Sequence, residues 1–164
     1  MLSRLSAANS RGLCDATEKL EHSRDELFEY YYTARQFERI ADHAEKIATF
    51  TLDSEVLIPE QYADEFASLG KTTRGVIDDA ADAILTGAGI EAANGALSKY
   101  DRLQDQLDDV DRELYDHDVP SEAYVLGLVL DSLRRTAEYG VNVATVAIQQ
   151  STRQGRSEER RVGK

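Results

Sequence analysis

Apolar residues recur at alternating three- and four-residue steps through four long segments of this chain. That period places them along one face of an α-helix. Pro59 and Pro120 fall between segments, and Gly87 and Gly89 separate the second segment from the third. No segment has the two-residue alternation of a β-strand. The sequence therefore predicts an all-α fold in which four amphipathic helices, joined by short loops, form an antiparallel helical bundle.

The first long helix is predicted to follow Ser23, an N-cap candidate with Glu26 as its capping-box partner, and to end in the segment 53–60. Its heptad-like apolar stripe is expected to face the core. The stripe consists of Leu27, Tyr30, Ala34, Phe37, Ala41, Ala44 and Ala48, widened by Thr33, Ile40 and Ile47.

The other three helices are predicted from about Pro59 to Leu85, from about Ile90 to the segment Asp116–Pro120, and from Ser121 to about residue 150. The expected core residues of the second helix are Ala63, Phe66, Leu69, Thr73, Val76, Ala80 and Ala83. Those of the third are Leu97, Tyr100, Leu103, Leu107, Val110 and Leu114. Those of the fourth are Leu126, Leu130, Leu133, Ala137, Gly140, Ala144 and Ala147. Residues 1–23 are interpreted as a loose segment with a short helix, and residues 151–164 as a disordered tail.

Charge and length limit the classes of function. The 164 residues suit one domain, and a net charge of −12 opposes direct nucleic-acid binding by this chain because phosphates are repelled. Only five of the nineteen cationic residues are Lys, and this acidic, Lys-poor composition is typical of a halophile.

The sequence has neither an apolar run long enough for a membrane span nor a secretory signal, which predicts a cytoplasmic protein.

An internal repeat links the first helix to the fourth. Residues 37–48 (FERIADHAEKIA) align with residues 133–144 (LRRTAEYGVNVA) at an offset of 96. Ala41 pairs with Ala137, and the acid Asp42 pairs with the acid Glu138. Only three of the twelve pairs are identical, so the repeat depends on matching residue types. It predicts that the segments around Ala41 and Ala137 lie side by side.

The string QFERIADHAEKIA resembles the motif that PhoU proteins carry on the last helix of each three-helix repeat, and LDSLRRTAEYGVNVA resembles a diverged second copy. The resemblance implies that residues 24–50 are the last helix of one repeat and that residues 59–150 are a complete repeat. The first two helices of the usual fold have no counterpart. The chain thus resembles the C-terminal part of an archaeal, haloarchaeal-type PhoU-domain protein, as a fragment or a shortened variant.

Two acids of the motif are candidate metal ligands. Glu38 and Asp42 are four residues apart, so both carboxylates project from one face of a helix. Such oxygen ligands suit iron, manganese or magnesium, and His43 would add a nitrogen if its ring turns toward that face. A salt-bridged surface with Arg35 and Arg39 is an equal alternative.

In PhoU-like proteins these motif pairs are implied to hold divalent or multinuclear metal, zinc included. The second copy offers Glu138 and Asn142, but Arg134 replaces its first acid. A guanidinium at that position either opposes a metal or acts as the counter-charge to Glu38 or Asp42.

Three acids of the third helix, Asp101, Asp105 and Asp108, follow one stripe, and PhoU repeats often carry Asp on the equivalent helix. We favour the alternative that they form a solvated acidic face paired with Arg102 and Arg112. His22 and His117 are isolated and are interpreted as surface residues.

No catalytic set is recognisable, so we expect a regulator and not an enzyme. The resemblance implies a homodimeric helical adaptor that represses phosphate uptake by engaging phosphate transporter components or a sensor kinase. One alternative is a dimerisation or interaction module of a transcription regulator. Another is a carboxylate-bridged metal enzyme, which is disfavoured because the chain has no Glu-x-x-His pair.

Overall fold

Four helices make up most of the computed structural model, which describes residues 24–53, 59–86 and 88–162. They are α1 (Arg24–Asp53), α2 (Glu60–Leu85), α3 (Gly89–Tyr115) and α4 (Pro120–Val162). No strand occurs among the described residues. The predicted all-α class and antiparallel helical bundle are confirmed. The interpretations of residues 1–23, Ser23 and Gly87 lie outside the described residues.

The helix boundaries follow from local chemistry. Pro59, with φ −57° and ψ 140°, precedes α2 in an extended conformation. At the other end of α2, the backbone N–H and the hydroxyl of Thr86 both donate to the carbonyl of Asp82. Gly89 has φ +60°, a left-handed conformation that favours glycine, and α3 begins there. Pro120 begins α4, where a missing N–H costs nothing.

Helices α2, α3 and α4 pack against one another in all three pairings and enclose the hydrophobic core. All seven core positions predicted for α4 are buried, and six of the seven predicted for α2 are buried. Tyr62 takes the buried position that was assigned to Ala63. In α3 the four predicted residues from Leu103 to Leu114 are buried, whereas Leu97 and Tyr100 are half-buried.

Gly140 allows α4 to approach α2 closely. A Cβ atom at this position would lie 3.2 Å from Val76 Cγ1 and 3.6 Å from the Cα of Ile77. Glycine in a helix costs roughly 0.5–1 kcal/mol relative to alanine. Here the cost is offset by packing that a larger residue would disturb.

The stripe predicted for α1 was wrong at its alanine positions, although Leu27 and Thr33 are buried as expected. Ala41, Ala44 and Ala48 are exposed, and the most deeply buried residues of this part of α1 are Gln36 and His43. Phe37, Ile47 and Phe50 are partly buried against the core. Burial stabilises by about 0.8 kcal/mol per CH₂ group, so the large side chains dominate the orientation and the alanine methyl groups contribute little.

The chain divides into two compact units, Met1–Arg35 and Gln36–Lys164, and α1 contributes residues to both. In the first unit Leu27 and Thr33 are buried, and the rings of Phe28 and Tyr32 stack with centroids 6.4 Å apart. Tyr30, predicted to belong to the core, is exposed. Ala34 is exposed as well.

Helix α4 is longer than predicted. It continues through residues 151–162, which had been interpreted as a disordered tail. The hydroxyl of Thr152 donates to the carbonyl of Ile148, one helical turn earlier. Seven of its twelve residues are Gln, Arg or Glu, which have high helix propensity and outnumber the weaker helix formers such as Gly155, and it contains no proline. The absence of an apolar period therefore did not end the helix.

Candidate functional site

The two copies of the internal repeat meet where residues 36–43 of α1 pack against residues 135–142 of α4. We call this region the α1–α4 contact. Asn142 Nδ2 donates a hydrogen bond to Gln36 Oε1 at 3.2 Å. Two groups of α1 contact the ring of Tyr139. The centroid of the His43 ring lies 5.8 Å from the Tyr139 centroid, and Cζ of Arg39 lies 5.4 Å from it.

The two segments lie next to each other, as the repeat predicts. The residues through which they touch are not the predicted ones. Ala137 is fully buried, whereas its repeat partner Ala41 is exposed. The matching small residues therefore do not form a shared seam. Polar and aromatic side chains join α1 to α4 instead.

Gln36 has the deepest position on this part of α1, with 2% of its surface exposed. Burying an amide without a partner costs about 1–3 kcal/mol, so its hydrogen bond to Asn142 fixes how α1 is oriented. Asn142 was predicted as a metal ligand. Its amide nitrogen is used in this hydrogen bond, and its side chain is half-buried.

His43 lies one heptad after Gln36 on the same face and is 9% exposed. Its Nδ1 atom is buried without a hydrogen-bond partner in the described part of the chain. Burial lowers the pKa of His43 below its ordinary value of 6.5, and the positive charge of Lys46 lowers it further. Asp131 opposes this shift. The imidazole is therefore neutral at pH 7.

Glu38 and Asp42 lie on α1 and are both half-buried. Glu138, their predicted counterpart on α4, accepts a hydrogen bond from Arg135 Nη1 at 2.8 Å. Glu138 also acts on α3. Burial raises the pKa of Tyr100 above its ordinary value, and the negative charge of Glu138 raises it further. Within the described ranges, no three His, Cys, Asp or Glu side chains form a group that could hold a metal ion. No three of the predicted ligands Glu38, Asp42, His43 and Glu138 therefore form such a group.

Arg134, which replaces the first acid of the second motif copy, turns toward α3. Its Nη2 atom donates to Asp108 Oδ1 at 2.9 Å. The sequence raised the possibility that this guanidinium is the counter-charge to Glu38 or Asp42. Its observed partner is instead Asp108 on α3, a helix that carries neither of the two matching segments 37–48 and 133–144.

The three acids of α3 are surface residues. Asp101, Asp105 and Asp108 are all exposed, as expected for a solvated acidic face. Exposed ion pairs such as Arg134–Asp108 contribute about 0–1 kcal/mol. Of the two predicted cations, Arg112 pairs with Asp109, and Arg102 donates to the carbonyl of Ser98.

His117 is not the surface residue that the sequence suggested. Its side chain is 11% exposed, and Nε2 donates to Glu122 Oε2 at 2.8 Å. Its ring meets the ring of Tyr62 edge-on, with centroids 5.5 Å apart. His117 therefore joins the turn between α3 and α4 to the beginning of α2, a structural role.

Tyr139 and Gln36 were missed by the sequence-based prediction of the site. Gln36 and His43 are seven residues apart, and this heptad spacing of two polar residues was the available signal. It was overlooked because the alanine positions gave a more apolar stripe.

No helix in the described part of the chain combines the length and the apolar content needed to cross a membrane. Comparison with known proteins gives no match to any family model, curated protein or solved structure.

Proposed function

We propose that this protein is a regulator of phosphate uptake that acts as a helical adaptor on phosphate transporter components or on a sensor kinase. The proposal starts from the resemblance of residues 36–48 and 130–144 to the PhoU motif. An adaptor needs a defined helix surface and no reaction centre.

The observation that supports it best is the α1–α4 contact. The two motif-bearing segments pack on each other through Gln36, Asn142 and Tyr139, although they are about 100 residues apart in the chain. Two diverged copies of one motif that meet in space are what a duplicated bundle requires. The same packing leaves one side of α1 uncovered and available for a partner; we call it the alanine side (Ala41, Ala44 and Ala48).

The test is phosphate uptake in cells of the source organism that lack this chain. We expect faster uptake of radiolabelled phosphate in phosphate-rich medium, and repression restored by the wild-type chain. Ala44→Arg, on the alanine side, should fail to restore repression, because a long cation blocks close helix contact. Ser98→Arg is the matched control on an exposed position of α3 and should restore it. Unchanged uptake in cells without the chain would contradict the proposal.

A dimerisation or interaction module is the second candidate, and the alanine side is the observation that favours it. It is an uncharged strip on a chain with a net charge of −12, and Leu52 beyond it is 84% exposed. Small residues allow two helix backbones to approach closely, and salt weakens the repulsion between two acidic chains.

Sedimentation velocity tests this second candidate at low and high salt. We expect dimers that increase with salt, and their loss in Ala44→Glu but not in Ser98→Glu. A monomer under all conditions would exclude the homodimer.

Metal binding at Glu38 and Asp42 remains a prediction of the resemblance, and the proposed function does not depend on it. Asp42→Ala should remove any iron, manganese, magnesium or zinc that copurifies, with helicity nearly unchanged. Asp101→Ala, an exposed acid on α3, is the control. Elemental analysis that finds equal metal in wild type and Asp42→Ala would refute the site.

A further inference from the structure

An apolar cavity of about 340 Å³ lies between α1, α2 and α4, within the unit Gln36–Lys164. The described residues that line it include no charged side chain, although 30% of the chain is charged. Its walls include Ile47 from α1, Phe66 from α2, and Val129 and Leu133 from α4. Its floor is formed by the buried side chains of Phe66, Leu126, Val129 and Leu133. Thr51, Ala63 and Ala67 at its rim are exposed, so the cavity is open to solvent on one side, and its presence requires a cause in the packing of the helices.

The cause is a run of small residues on α2. Ala63, Ala67 and Gly70 follow at four- and three-residue steps and line the cavity. A Cβ atom added at Gly70 would have no neighbouring atom within 4 Å, so the space beside this residue is open. The gap is thus built into the sequence of α2.

The lining chemistry selects the ligand. Thr51 supplies a hydroxyl, which already donates to the carbonyl of Ile47 at 2.8 Å. A charged ligand would lose part of its hydration against this apolar floor and gain no charged partner from the lining. Apolar cavities of about 150 Å³ bind benzene, and ligand pockets begin at about 300 Å³. We propose that this cavity binds a small uncharged apolar molecule about the size of one or two aromatic rings.

Two exposed apolar side chains that neighbour lining residues in the sequence add an independent observation. Leu52 follows Thr51 in the chain and is 84% exposed, and Tyr124 precedes Val125 and is 69% exposed. Large exposed apolar groups in an acidic protein mark surfaces that meet apolar partners. The inference does not depend on the role in phosphate regulation.

The neutral probe N-phenyl-1-naphthylamine tests the proposal by fluorescence. The chain contains no Trp, so the emission of the probe is measured without overlap from the protein. We expect a saturable increase in emission with one probe per chain. Absence of a saturable increase would overturn the proposal.

Cavity-filling variants locate the binding. Ala67→Phe and Gly70→Leu each place a large side chain in the cavity, and both should abolish the saturable increase. Ser98→Phe adds the same ring as Ala67→Phe at an exposed position on α3 and should leave binding unchanged. Equal binding by the filled and wild-type proteins would show surface adsorption and overturn the assignment.

A measurement on the wild-type chain is independent of how the variants fold. Methyl NMR should show probe-dependent shifts for Ile47, Val129 and Leu133 and none for Leu103 or Leu107, which are buried in α3 and are not part of the lining. Shifts confined to residues outside the cavity would contradict the proposal.

Discussion

Helices α4 and α1 carry related sequences, but they use their apolar residues in opposite ways. Every core position predicted for α4 is buried, from Leu126 to Ala147. On α1 the predicted alanine positions 41, 44 and 48 are exposed, and the buried face carries Gln36 and His43. A repeated pattern of residue types therefore does not determine which face of a helix is buried.

The difference is explained by the size of the side chains. The stripe of α4 includes Leu126, Leu130 and Leu133, whose full burial stabilises by about 1.5–3 kcal/mol each. The stripe of α1 is mostly alanine after Phe37, so no strong force holds it inward. Partial burial of Ile47 and Phe50, and one amide–amide hydrogen bond, are sufficient to orient α1 differently.

The largest effect is expected for Leu107→Ala in α3, where the side chain is fully buried between α2 and α4. The free energy of unfolding should fall by about 2–5 kcal/mol because a cavity is created in a packed core. Ile47→Ala on α1 should cost clearly less, because Ile47 is already partly exposed. Urea denaturation measures both. Equal losses would mean that α1 is as firmly packed as the core helices.

An intermediate effect is expected for the hydrogen bond between Gln36 and Asn142. A double-mutant cycle with Gln36→Ala and Asn142→Ala should give a coupling free energy of about 0.5–1.5 kcal/mol. Gln149 is exposed on α4 about two turns beyond Asn142, so Gln149→Ala replaces Asn142→Ala in the control cycle. Coupling in the control cycle as large as in the test cycle would argue against a specific bond.

A smaller effect is expected from His43 and depends on pH. Burial holds the pKa of His43 below 6.5 in the folded state, so the unfolded chain binds the proton first as the pH falls. The stabilising contribution is present above pH 6.5 and is lost as the pH falls from 6.5 toward the lower folded pKa. Urea denaturation at pH 7.5 and pH 5 should show a greater loss in wild type than in His43→Phe. The same loss in both proteins would contradict burial of a neutral imidazole.

The smallest effect is expected for Ala48→Ser, which should change the free energy of unfolding by less than about 0.5 kcal/mol because Ala48 is exposed. The same substitution at Ala144, its fully buried repeat partner, should cost about 1–3 kcal/mol because it buries a hydroxyl. Thermal or urea denaturation compares the two. A large loss at Ala48 would show that the alanine side is covered in solution.

Much of the fold was predictable because large apolar residues at helical spacing have one favourable arrangement. Leu103, Leu107 and Val110 mark the buried face of α3 without reference to any other helix. The candidate site was less predictable. The sequence predicted that Glu138 and Asn142 act together with Glu38 and Asp42. In the structure Glu138 is hydrogen-bonded to Arg135, and Asn142 is hydrogen-bonded to Gln36. The choice among such polar partners depends on about 1 kcal/mol each and on distances that the sequence does not contain.

For the described residues, the sequence by itself determined the four helices, their approximate limits apart from the end of α4, and the buried faces of α2, α3 and α4, since large apolar side chains and the prolines and glycines between helices act locally. Only the tertiary structure decided that α1 buries Gln36 and His43, that Arg134 pairs with Asp108, and that small residues on α2 leave a cavity. The physical reason is that these features arise between helices far apart in the chain. Each depends on small differences in packing and hydrogen bonding that become definite only when the helices meet.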